Sequence, residues 1–276
     1  MDVSNLREWK NNGKTIIAAH RGRAGGNVPC NTLSAFSIAL NQGAQIIELD
    51  VTRSWDGELF VFHPFMDFFH LGKIIPIQMR HSNFVKKSTY LNYDGAKTNY
   101  KVITLDEALA FLKGKCVVNI DKFWTHPKEI SDLVRKYDMQ KSVIIKSYLD
   151  EKSLNAVLKY APDMPYMAIV RECNENIIEN ILSRGINLVA VELLFDDIGK
   201  NHVSDQFIEY LRSKNILAWV NSIVYNKKDV ISAHLTDDRA VSGEEDAVWG
   251  TLSKKFDIIQ TDWVLELNNY LKQRKN

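Results

Sequence analysis

The chain has 276 residues, a formal net charge of +1, 45% hydrophobic residues and 25% charged ones. That length and composition allow a sizeable core in one large α/β domain or two smaller ones, and nothing in the near-neutral balance itself points to nucleic acid or to an anionic membrane surface. No apolar run approaches the ~18 residues of a membrane span, and Cys30, Cys116 and Cys173 are odd in number, far apart and without CxxC spacing, so they read as free thiols of a reducing compartment.

The N-terminal stretch "MDVSNLREWKNNGK" has no positive n-region followed by a long apolar run. It predicts no signal peptide and a cytoplasmic location. The first strand is expected in "TIIAAHRG" (15–22), closed by His20 and Arg21. Gly22, Gly25 and Gly26 make a loop, and Asn31 and Thr32 are candidate caps for the helix "NTLSAFSIALNQG". A strand end with His and Arg, a glycine loop and a helix N-terminus suit an anion. The second strand, "QIIELDVT" (45–52), puts Glu48 and Asp50 two apart, hence on one face. After an Asp56–Gly57 turn, "GELFVFHP" (57–64) reads as an extra strand ending near His63.

More than sixty residues then separate the second barrel strand from the third. Much of this stretch looks irregular and mixed until the helix "TLDEALAFLKG". The rhythm resumes with "KCVVNIDKF" (115–123), "SVIIKSY" (142–148), "YMAIVRE" (166–172), "LVAVELLF" (188–195), "LAWVNSI" (217–223) and "DIIQTDW" (257–263). Amphipathic segments such as "PKEISDLVRKYDM", "DEKSLNAVLKYAP", "ENIIENILSRG" and "DQFIEYLRSKN" lie between them. Eight near-continuous apolar runs alternating with helices predict an α/β fold, a single (β/α)8 TIM-type barrel over residues 1–276. An insertion at about 64–102 falls between strands two and three. Insertions in such barrels tend to be functional, because the site is built from the βα loops.

Polar residues recur at the strand ends: His20, Arg21, Glu48, Asp50, Asp121, Lys122, Lys146, Arg171, Glu172, Glu192, Asn221 and Asp262. In a barrel they would meet at one mouth. A buried carboxylate costs several kcal/mol unless paired or metal-bound. Glu48 and Asp50, with Asp121 as a third carboxylate, suit a hard divalent cation such as Mg²⁺ or Ca²⁺. The alternative partner is a neighbouring Arg or Lys.

The order HRG, NT opening a helix, "GAQIIELDV", then S-x-DG and a strand ending in His resembles the glycerophosphodiester phosphodiesterase family. "HPFMDFFHLGK", "ITLDEALAFLKGK", "WVNS" and "IIQTDWVLELNNYL" extend the likeness over nearly the whole chain. The resemblance implies a TIM-type barrel, a divalent metal and hydrolysis of a phosphodiester to a phosphomonoester and an alcohol. By position it makes His20 and His63 the catalytic pair, Glu48 and Asp50 metal ligands and Arg21 a phosphate contact. Trp219, in "WVNS", is placed with the substrate-binding residues.

The chain also departs from the family. Cys30 stands where the family has Glu, and Pro64 where it has Asp. Phe68, Phe69 and His70 replace an Arg-Thr-Thr run. In "NIDKFW", Asp121 occupies the Glu of a Glu-x-Lys pattern, Lys122 comes one residue early and Phe123 stands at the lysine position. Strand alternation then predicts Asp121 and Phe123 facing inward and Lys122 away, with Lys146 supplying the missing cation, unless the chain turns sharply after Asp121. His70 and His81 are expected at the surface.

The expected partner is a small-molecule phosphodiester. Two other readings stay open: a phosphodiesterase acting on another phosphodiester or a lysophospholipid, and a barrel that binds a phosphorylated ligand without turnover.

Overall fold

The computed structural model describes residues 1–224 and 228–274. Its strands are β1 (Ile16–Ala19), β2 (Ile46–Arg53), β3 (Leu59–Val61), β4 (Thr89–Leu91), β5 (Lys97–Lys101), β6 (Val117–Asp121), β7 (Val143–Tyr148), β8 (Tyr166–Val170), β9 (Leu188–Leu193), β10 (Leu217–Asn221) and β11 (Ile258–Thr261). Eight of them, β1, β2 and β6 to β11, pair in parallel in chain order. β1 bonds both β2 and β11, so the sheet closes into a barrel. Each of the eight expected apolar runs holds one barrel strand, and the helices between them pack on the outside.

Strand alternation explains how the barrel positions polar groups. One row of side chains faces the helices and is apolar, as in Ile47, Leu49 and Val51 of β2 or Val118 and Ile120 of β6. The other row faces inward and changes character along each strand. At the N-terminal end it is an apolar plug of Ile16, Ala18, Ile46, Val117, Ile144, Met167, Ala190, Leu217, Trp219 and Ile258. Two residues further on, the same row carries Glu48, Asn119, Lys146, Glu192, Asn221 and Gln260, all buried. The helix Val3–Asn11, unmarked in the sequence reading, closes the bottom by adding Val3 and Leu6 to the plug.

The segment expected to be irregular has its own structure. β3 pairs antiparallel with the end of β2. β4 and β5 form a hairpin, and short helices span Asp67–Leu71 and Ser82–Val85. Phe60, Phe62, Leu71, Ile77, Val85, Tyr90 and Val102 give this segment a separate small core.

Candidate active site

The loop after β1 is shaped by one obligatory glycine. Gly22 has φ +77°, and a Cβ there would sit 2.7 Å from the Ala35 carbonyl carbon. This lets the loop fold back against the next helix, where Arg23 N–H donates to Ala35 O at 2.9 Å. Thr32 is the N-cap of Leu33–Asn41. Asn31 instead takes φ +57° and donates Nδ2–H to Asp50 Oδ2 at 3.0 Å.

Glu48, Asp50 and Asp121 come together as their sequence positions require. Their nearest oxygens lie within 4.8 Å of one another, and all three residues are buried. Arg21 Nε is 2.8 Å from Asp50 Oδ2, and the Arg21 backbone N–H donates to Glu48 Oε2 at 3.1 Å. Asp50 Oδ1 is buried and accepts no hydrogen bond from the described residues. Burial and the Asp50 charge push Glu48 up to about 7. Burial also opposes ionisation of Asp50, but Arg21 outweighs it and holds that carboxyl below its ordinary value. For Asp121, Lys146 and Lys122 overcome burial and bring the carboxyl down to about 2.

The two histidines face the same cavity, each with Nδ1 already engaged. His20 Nδ1–H donates to Asp262 Oδ1 at 2.9 Å. Burial disfavours the imidazolium, but Asp262 outweighs it and the His20 pKa rises. His63 Nδ1–H donates to the Pro64 carbonyl at 2.9 Å, and its Nε2 lies 4.0 Å from Asp50 Oδ1. Burial lowers the His63 pKa, opposed only in part by Asp50.

Lys122 corrects the alternation expected from the sequence. β6 ends at Asp121 and the backbone turns at Lys122 with φ +65°. Lys122 therefore swings into the cavity, with Nζ 2.6 Å from Asp121 Oδ2, while Phe123 is buried among the barrel-to-helix contacts. Lys146 also lines the cavity, ringed by Glu192 at 3.3 Å, Glu48 at 3.8 Å and Asp121 at 3.9 Å.

Trp219 does not reach the cavity. It lies fully buried one inward step below the mouth, and its Nε1–H donates to Asn221 Oδ1 at 2.9 Å. Asn221 in turn donates to Glu192 Oε1 at 2.7 Å. Trp219 thus buttresses the polar layer from beneath and makes no wall for a ligand. Burial pushes the Cys30 thiol up to about 11, which disfavours the thiolate that a nucleophilic cysteine needs. His81 is exposed, as expected, whereas the His70 ring packs edge-on against Phe62 at 6.0 Å.

One group that bears on the site carried no sequence signal. Asp237 is buried and accepts from Ser222 Oγ (2.5 Å), Trp249 Nε1 (2.9 Å), Thr261 Oγ1 (2.8 Å) and the Asp262 backbone N–H (2.8 Å). It fixes the end of β11 from which Asp262 reaches His20.

The cavity holds about 120 Å³. His20, Arg21, Glu48, His63, Asp121, Lys122 and Lys146 form its charged side, and Trp124, Tyr148, Ile169, Leu194, Ile223 and Ile231 its apolar side. A larger groove of about 870 Å³ lies on the barrel flank, away from both histidines and the three carboxylates, and two of its lysines are taken up by carboxylates within it, Lys86 by Glu58 and Lys136 by Asp106.

Comparison with known proteins agrees with this geometry. The model of the glycerophosphoryl diester phosphodiesterase family matches residues 20–159, and a model described as a domain of unknown function matches 164–271. A glycerophosphodiester phosphodiesterase of Caldanaerobacter subterraneus is 30% identical over 167 residues, covering 55% of this chain and 65% of that protein. The match to an uncharacterised Bacillus subtilis protein, 27% identical, covers 54% of this chain and 63% of that one. The chain thus spans just under two thirds of either relative. Among solved structures, a glycerophosphoryl diester phosphodiesterase from Parabacteroides distasonis superposes with a TM-score of 0.77 at 17% identity, covering 99% of this chain and 93% of that one. A phosphodiesterase from Oleispira antarctica, solved with the product sn-glycerol-3-phosphate, gives 0.64 at 14% identity over 93% and 96% of the two chains. These likenesses establish the barrel fold, and the family model, which covers half of the sequence and begins at His20, establishes that the chain belongs to the glycerophosphoryl diester phosphodiesterase family.

Proposed function

We propose that the chain hydrolyses a glycerophosphodiester to a glycerol phosphate and an alcohol, with His20 and His63 as the acid and base. The observation that carries this reading is the pair of imidazoles at one cavity, each with Nδ1 held and Nε2 left for chemistry, beside three carboxylates. The name of the Caldanaerobacter relative and the product bound to the Oleispira enzyme point the same way.

The roles follow from the partners. His63 gives its Nδ1–H to a carbonyl, and burial favours its neutral form, so Nε2 offers a lone pair. It removes the proton from the attacking oxygen: water gives the phosphomonoester directly, whereas a neighbouring glycerol hydroxyl gives a cyclic phosphate that a water must then open to the phosphomonoester. His20 is kept protonated by Asp262 and delivers a proton to the leaving alcohol. Arg21 and Lys122 are the cations we assign to the phosphate: the arginine presents a planar fork, and the Lys122 ammonium has only Asp121 as an ion-pair partner among the described residues. Lys146, ringed by three carboxylates, balances them first and faces the ligand second.

The residues present fit a divalent cation. The donor set is all oxygen, and the buried Asp50 Oδ1 lacks any hydrogen-bond donor among the described residues. Bound by Glu48, Asp50 and Asp121, Mg²⁺ or Ca²⁺ would neutralise charge on the non-bridging phosphate oxygens. Binding has a readout apart from turnover. At 100 times its Kd the cation should stabilise the folded chain by about 2.7 kcal/mol. Thermal melts of the wild type should rise with added Mg²⁺ or Ca²⁺, and those of Asp50→Asn should not. Identical melts with and without metal would remove the cation from this reading.

The His20 assignment makes a pH prediction. Because Asp262 raises the His20 pKa, the acid stays protonated above its ordinary 6.5, and the alkaline limb of kcat/KM reports its loss. Asp262→Asn removes that support, so the limb should move to lower pH. A limb that stays put or moves up contradicts His20 as the acid.

A further inference from the structure

We propose that the segment from Trp55 to Lys101 is a docking surface for a lipid–water interface carrying anionic headgroups. Of the 14 large hydrophobic side chains exposed among the described residues, nine fall in this segment: Trp55, Phe65, Phe68, Phe69, Ile74, Ile75, Met79, Phe84 and Tyr93. Ile74 is 89% exposed and Phe69 69%. Scattered apolar residues need no explanation, but a concentration of aromatic and branched side chains in one short stretch does.

These residues are not loose packing left over from folding. The segment has a core of its own, and Asp67 pins the loop from beneath. Its buried carboxylate accepts from Ile77 N–H at 2.9 Å and pairs with Arg80 at 2.6 Å. Leu71 and Ile77 point into that core while Phe68, Phe69, Ile74 and Ile75 stay in solvent. Phe65 takes φ +66°, a backbone region unfavourable for a bulky residue, and is still 76% exposed. Strain held at an exposed aromatic marks a site with a use for that side chain.

Charge identifies the occupant. Residues 55–101 contain six Lys or Arg against four Asp or Glu, in a chain whose net charge is only +1. Lys73, Lys87, Lys97 and Lys101 are exposed and make no ion pair among the described residues. Exposed aromatic rings interleaved with free lysines match an interface where rings sit at headgroup level and ammonium groups meet anionic lipids. No helix among the described residues is long and apolar enough to cross a membrane, so the contact is peripheral. It is also close to the cavity: His63, which lines the cavity, lies two residues before Phe65, and Asn92 Nδ2–H donates to Asn27 Oδ1 in the loop after β1 at 2.9 Å.

The test is co-sedimentation of the full chain with vesicles of phosphatidylcholine, with and without phosphatidylglycerol. It reads binding alone and does not depend on the reaction proposed above. The wild type should partition onto the anionic vesicles, more weakly as salt is added. The triple variant F68S/F69S/I74S should lose about tenfold or more of that partitioning. The pair K73E/K87E should lose several-fold and flatten the salt dependence. All five positions are exposed, so the variants should fold. Absence of wild-type partitioning onto either vesicle would overturn the proposal. So would a wild-type dimer that F68S/F69S/I74S converts to monomer without vesicle binding, because a second copy would then cover the face.

Discussion

His20→Ala and His63→Ala should each lower kcat by ~10²-fold or more, the usual scale for a positioned acid or base. The expectation rests on how each ring is held. Asp262 fixes His20 through Nδ1, and the Pro64 carbonyl fixes His63 the same way, so each ring turns Nε2 to the reaction and neither can be replaced by the other. In the proposed mechanism the two serve one proton transfer sequence, so the double variant should lose little more than the worse single one, as groups acting as a unit do. His63→Ala should spare the fold, because its side chain is 20% exposed and among the described residues its ring hydrogen-bonds only to the neighbouring Pro64 carbonyl. Steady-state kinetics beside a thermal melt checks both points. Near-wild-type turnover in either alanine variant removes that histidine from the chemistry.

The second large effect concerns Lys146 and appears first in stability. Its side chain is 4% exposed and stands between Glu48, Asp121 and Glu192. Lys146→Met keeps most of the volume but leaves three buried carboxylates short of a cation. Removing one partner of a buried ion pair typically costs about 3–5 kcal/mol, which for a chain of this size lowers Tm by roughly 10 °C. Lys122→Met should differ in kind. Its side chain is 19% exposed and among the described residues pairs only with Asp121, which keeps Lys146 nearby. The melt should change little, while kcat/KM falls by about tenfold with the loss of a charge-assisted contact. Equal melts for the two variants, or a stable Lys146→Met with lost turnover, would return the phosphate role to Lys146.

The barrel and most of the mouth were legible because strand periodicity carries them. Glu48 and Asp50 two apart in an apolar run can only share a face, and the closed sheet makes that face the interior. Other features depend on information that periodicity does not contain. Trp219 lies on the inward face, as alternation requires, but one step too low, because alternation tells which side a residue faces and not its depth. Lys122 turned inward because the strand stops at Asp121 and a non-glycine residue takes a left-handed turn there, which no residue type announced. Asp237 reaches Asp262 across more than twenty residues of chain and leaves no local pattern. The β4–β5 hairpin is different: "YDGAK" carries the same Asp-Gly signal that marked the turn at Asp56–Gly57. The helix Val3–Asn11 was hidden by its composition, since only Val3 and Leu6 of its nine residues are fully buried.

The most direct test of the proposed activity is phosphorus NMR of purified chain incubated with glycerophosphocholine or glycerophosphoethanolamine, with added Mg²⁺ or Ca²⁺ and then with excess chelator. The account predicts that the diester signal converts to a phosphomonoester, that chelator stops the conversion, and that His63→Ala slows it by ~10²-fold. Conversion that continues undiminished in chelator and in His63→Ala, or a diester signal that persists with metal present, would contradict it.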